Sequence, residues 1–173
     1  MKKVAAFIFI LGIAFSLFAK TEIRVQNWTN NPVDGRYMLL ITDTGEKELN
    51  GFTTPIYRVV TLIDKSNYGY PVMMVSLYQN NSKDLIVLNY DHSVTVTMKN
   101  KKGDSISFTA GVSSKSFSFG AHIEQGTDIA KVIEFLQKSG SISVNVVGDR
   151  SKTTYRYTLD YFVSDFINTL KSI

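Results

Sequence analysis

The chain has 173 residues, of which 44% are apolar and 20% charged, with 19 basic against 15 acidic residues, two histidines and no cysteine. No disulfide can form and no thiol can carry a lipid, so the fold must rest on its hydrophobic core, for which this length suffices. A formal charge of +4, with no Lys/Arg cluster interleaved with aromatics, gives nucleic-acid binding little support.

The opening stretch, "MKKVAAFIFILGIAFSLFAK", sets Lys2 and Lys3 before an uncharged run of 16 residues from Val4 to Ala19. That run is shorter than the ~20 residues of a bilayer-spanning helix. Basic start, short apolar core and small residues near its end predict a secretory signal peptide over 1–19, cut after Ala19, and one exported domain over 20–173. Without Lys2 and Lys3 the balance is 17 basic residues to 15 acidic. No apolar run of comparable length follows, so no membrane span is expected after cleavage.

Alternation at period two, the mark of half-buried strands, dominates the remainder. "EIRVQNW" puts Ile23, Val25 and Asn27 on one face, and "NNPVDG" makes a turn before a second strand, "RYMLLIT". "DTGEKELNG" reads as a polar connection. "IYRVVTLI" and "PVMMVSLYQ" are more continuously apolar and are expected as central strands buried on both faces, with "DKSNYGY" looping between them. "DLIVLNY" follows, then "SVTVTM" and "SISF" as a hairpin across the basic turn "KNKKGD", and "KSFSF" with Phe117 and Phe119 on one side. This predicts a mostly β chain, an antiparallel β-sandwich or open barrel of about 8–10 strands.

Two segments change period. "TDIAKVIEFLQKSG" carries Ile129, Val132, Ile133 and Leu136 at helical spacing, with a cap oxygen at Thr127 or Asp128, Lys138 at the negative end of the dipole and Gly140 for the left-handed terminus. It predicts a helix over about 128–138. "YFVSDFINTL" aligns Phe162, Val163, Phe166, Ile167 and Leu170 and predicts a short helix over about 162–171 that must dock on the sheet to be stable. The hairpin before it is expected to bury Ile142, Val144, Val146, Tyr155, Tyr157 and Leu159, while Arg150, Lys152 and Arg156 stay wet.

Catalytic signatures are sparse. "YDHS" sets Asp91, His92 and Ser93 in a row, but neighbouring side chains of an extended chain point to opposite faces, so the three read as a turn and not as a relay. His122 and Glu124 in "AHIE" share a face if extended, yet no third ligand is suggested; with His92 they form the candidate polar site, and no metal and no cofactor are expected. The aromatic loop "NYGYP" is the candidate recognition element, since Tyr68 and Tyr70 offer large contact area at small entropic cost.

The closing stretch resembles a known pattern. In "YTLDYFVSDFINTL", Leu159, Phe162 and Leu170 fall where the invasion-associated locus B family of exported bacterial proteins has its terminal Ser-Leu-x-Gly-Phe-x-x-Ala-x-x-x-Leu segment, with Tyr161 at the family's glycine and Asp165 at its alanine. The preceding "IAKVIEFLQKSGSISVNVV" resembles the family's helix and penultimate strand. The likeness spans about the last 45 residues. It implies a periplasmic or surface-associated β-sandwich with a part in host interaction, and transfers no catalytic residue. The leading expectation is therefore an exported, non-enzymatic binding or structural module, periplasmic or at the cell surface, whose partner is a protein or another envelope component. The alternatives are a periplasmic hydrolase using His92 or His122, and a carrier of a small apolar ligand with "PVMMVSLY" lining its cavity.

Overall fold

The computed structural model describes residues 20–27, 35–56, 58–64, 72–78, 91–113, 116–120 and 129–173. Eleven antiparallel strands form one continuous sheet, curled into half a barrel, with two helices. In chain order the elements are β1 (Glu22–Asn27), β2 (Arg36–Thr42), β3 (Gly45–Leu49), β4 (Phe52–Ile56), β5 (Arg58–Asp64), β6 (Val72–Tyr78), β7 (Ser93–Asn100), β8 (Ser105–Val112), β9 (Ser116–Gly120), α1 (Ile129–Ser139), β10 (Ser141–Gly148), β11 (Thr154–Asp160) and α2 (Val163–Lys171). Across the sheet they run β1-β2-β5-β6-β9-β8-β7-β10-β11-β3-β4. The expected strand-rich antiparallel architecture is thus realised as a single curled sheet.

The inner face is set by alternation. Val94, Val96 and Met98 of β7, Ile142, Val144 and Val146 of β10, and Tyr155, Tyr157 and Leu159 of β11 are all buried in one core, their register aligning Val96 with Val146 and Val146 with Tyr155. β5 and β6 depart from expectation: Val59 and Ile63, then Met73, Val75 and Leu77, are buried, but the alternate residues are only half-buried. β5 and β6 are therefore buried on one face and half-buried on the other.

Both helices join this core. α1 buries Ile129, Val132 and Leu136, and Gly140 takes the left-handed conformation beyond its end (φ 91°), as helix C-termini favour. α2 buries Phe166 and Leu170. Phe162 is a correction: it occupies the N-cap of α2, 65% exposed, because the residue before the first turn projects away from the buried stripe. Its neighbour Tyr161 is buried instead, its hydroxyl donating 2.8 Å to the Leu136 carbonyl and its ring 5.3 Å from that of Phe166. Tyr161 therefore joins the last turn of α1 to α2. Trp28 and "DLIVLNY" lie outside the described residues, as does the α1 N-cap.

The two flanks of the curl meet at the start of the described chain. Lys20 bridges Asp160 in parallel, the Thr21 N–H donates to the Asp160 carbonyl at 3.0 Å, and the Asp160 N–H donates to Thr21 Oγ1 at 3.1 Å. The outer edge of β11 is thus divided: its end takes Lys20 and Thr21, and Thr154–Tyr157 pair with β3. The β3–β4 hairpin is left standing at the margin of the sheet.

Candidate functional site

The hairpin arises in a segment that reads as a polar connection. Leu49 and Phe52 pair across Asn50 and Gly51, whose φ angles of 51° and 80° are those of a two-residue turn with both central residues left-handed. Asn-Gly is the sequence best suited to that turn, and it was the available signal for the hairpin. Gly45 opens β3 because the Ile56 side chain lies 2.6 Å from where a Cβ on Gly45 would stand. Ile56 can thereby tuck into the core while the rest of β4 stays exposed.

Apolar surface is left outside. Phe52 is 79% exposed and Leu49 43%, the two flanking the turn at the hairpin tip. Beside them a recess of about 330 Å³ is lined by Lys47, Leu49, Phe52, Thr54, Pro55 and Ile56. A larger recess of about 530 Å³ also reaches Pro55, but Glu46, Ser143, Arg156 and Thr158 among its lining make it polar. Ligand sites are mainly apolar with a few placed polar groups, so the smaller recess is the better candidate. The Arg156–Glu48 ion pair and a Lys47 ammonium 6.0 Å above the Tyr155 ring tie β3 to β11.

The hairpin is the outermost pair of the sheet, and its edge is blunted. In a two-residue hairpin the residues flanking the turn exchange backbone hydrogen bonds and the pairs alternate from there. From the register, Thr53 and Pro55 therefore direct their backbone nitrogens away from β3. Pro55 has no N–H to offer, which is how proline is accommodated on edge strands.

The same end of the sheet carries the Asp91–His92–Ser93 turn. Asp91 is buried and its carboxylate accepts the Arg150 N–H (3.0 Å), the Ser151 N–H (2.8 Å) and the Ser151 hydroxyl (2.7 Å). The Asp149 carboxylate in return accepts the His92 N–H (3.1 Å) and the Ser93 hydroxyl (3.3 Å). Desolvation pushes the Asp149 carboxyl up, but the His92, Ser93 and Arg150 amides and the Ser93 hydroxyl together hold it below its ordinary value. The carboxylate of Asp91 fills the space a side chain on Gly148 would need, 2.4 Å from that Cβ position. Burial and the charge of Asp91 push the Tyr155 hydroxyl up to about 12.

This arrangement is a reciprocal clasp. The Asp91 carboxylate and the Ser93 hydroxyl both engage the facing 149–151 turn, and the His92 imidazole is exposed. Tyr68, Tyr70, His122 and Glu124 lie outside the described residues. Among the described residues, no group of three His, Asp or Glu side chains is placed to hold a metal ion, and no helix is long and apolar enough to cross a membrane.

No known family, curated protein or solved structure matches this chain. Its functional reading rests on the residues themselves. Among the described residues, Val25, Leu49, Phe52 and Phe162 are the exposed large apolar side chains, and Leu49 and Phe52 are the two that stand together beside a mainly apolar recess.

Proposed function

We propose that the chain is an exported, non-enzymatic binding module that docks an envelope component through the β3–β4 hairpin. One observation carries the reading: Leu49 and Phe52 sit exposed at the tip of a well-formed hairpin, beside a mainly apolar recess. The exposed part of a large apolar side chain on a tight turn contributes little to the fold and keeps its share of the transfer free energy, at most ~1.5–3 kcal/mol per side chain, for a partner. Export is supported by the leader pattern of residues 1–19. A role in host contact is supported by the likeness of the last 45 residues to the invasion-associated locus B family, and by the helix, hairpin, helix order of α1, β10–β11 and α2.

The test is the binding of labelled protein to isolated bacterial envelopes before and after Leu49→Ser with Phe52→Ser. Removing two buried apolar contacts lowers affinity by about tenfold or more. Unchanged affinity in a folded double variant would remove the hairpin from the account.

A further inference from the structure

We infer that the hairpin's partner is an anionic lipid surface, into which Leu49 and Phe52 insert while neighbouring cations meet the headgroups. The inference rests on the hairpin being the docking element. Two features choose the occupant. A peptide that adds a strand to an edge needs a run of outward N–H groups, and at the β4 edge Pro55 removes one of the two that the register of Thr53–Pro55 directs outward. A bilayer asks nothing of the backbone and requires only apolar side chains that protrude, with basic groups at the level of the headgroups.

The charges around the tip fit that requirement. Glu48 pairs in register with Thr154, so Leu49 and the turn beyond it reach the level of the 149–153 turn. There Arg150 and Lys152 are exposed, the Lys152 ammonium donating to the Asp149 carbonyl at 2.6 Å, and Lys47 lines the same recess as Phe52. Of the acidic groups nearby, Glu48 is neutralised by Arg156, Asp91 is buried under the Arg150 and Ser151 amides and the Ser151 hydroxyl, and Asp149 remains an exposed carboxylate that accepts from the His92 amide and the Ser93 hydroxyl. The surface of the end that carries the apolar tip therefore holds two exposed cations, Arg150 and Lys152, against one exposed carboxylate, Asp149. Two inserted side chains and two exposed cations make a reversible anchor, sensitive to salt and to the charge of the membrane.

The experiment is flotation of the form beginning at Lys20, which contains every described strand and helix, with vesicles of phosphatidylglycerol and phosphatidylcholine and, separately, of phosphatidylcholine alone. Binding to the anionic vesicles is expected, weakened about tenfold or more by Leu49→Ser with Phe52→Ser and weakened by Arg150→Gln with Lys152→Gln or by raised salt, with the thermal midpoint of each variant retained. Equal binding to both vesicle types would overturn the charge assignment. Absence of binding to anionic vesicles would overturn the lipid inference. In that event, Phe52-dependent binding to delipidated envelope protein leaves the docking role of the hairpin standing, and its absence removes that role as well.

Discussion

Two hairpins of this sheet, β10–β11 and β3–β4, are built on sound turn geometry and differ in what surrounds them. β10–β11 is paired on both sides, buries an apolar residue at every second position, and has its turn held by the carboxylate of Asp91 and by the bonds of Asp149 to His92 and Ser93. β3–β4 is paired on one side, keeps only Ile56 of β4 in the core, and leaves Leu49 and Phe52 in solvent. The first closes a fold. The second is what a finished fold leaves over for a partner, and the contrast predicts that damage to the first region is read in stability and damage to the second in binding.

The largest effect is expected at α2, which joins the core beside α1 and β1. Phe166 is fully buried, so Phe166→Asp forfeits the ~3–5 kcal/mol of an emptied Phe site and adds a buried charge. Either that variant or truncation after Tyr161 should yield insoluble or unfolded protein by circular dichroism. A folded variant with a normal melting temperature would undo the closing role of α2.

The clasp comes next. Asp91→Ala removes three part-buried hydrogen bonds to the carboxylate, from two N–H groups and a hydroxyl, which should cost ~2–4 kcal/mol in a urea titration. Asp91→Asn, able to accept but uncharged, should cost less. If the two variants melt alike at the wild-type midpoint, the 149–151 turn holds itself and the clasp is dispensable.

An alkaline titration probes the same region more gently. The Tyr155 hydroxyl is raised from its ordinary 10 to about 12, and burial raises that of Tyr161 as well. The folded state binds these protons more tightly than the unfolded state, so their contribution is intact below pH 10 and is lost as the pH climbs from there through about 12. Stability falling over that window, with tyrosinate absorbance appearing late, is the expected result. Tyrosines that all titrate near 10 while the protein stays folded would contradict their burial. Tyr161→Phe should cost ~1 kcal/mol, one neutral hydrogen bond to Leu136.

Much of the first region is legible in the sequence, for reasons that lie in its residues. Ile129, Val132, Leu136 and Gly140 each follow one local rule, and all point to the same helix, which occupies Ile129–Ser139 where about 128–138 is expected. The alternation of Ile142, Val144 and Val146 against Tyr155, Tyr157 and Leu159 fixes the register because one face is buried. Asp91, His92 and Ser93 are expected as turn residues; Asp91 and His92 precede β7, and Ser93 is its first residue. The β3 strand of the hairpin is illegible by composition, since "GEKEL" has no β-branched or aromatic residue and edge strands carry charge for the same reason that loops do, whereas "FTTPI" in β4 has both. Asn50 and Gly51 mark the turn. Phe162 misleads in the opposite way: helical spacing assigns it to the buried stripe, but it stands one residue ahead of the helix.

The absence of cysteine makes the central claim directly measurable. Phe52→Cys introduces the chain's single thiol at the hairpin tip, and its alkylation rate can be followed in the free protein and with anionic vesicles or envelopes present. A rate close to that of the unfolded chain when free, falling about tenfold or more on binding, is what an exposed docking hairpin predicts. A thiol that is protected in the free protein, or that reacts equally fast when the protein is bound, would contradict it.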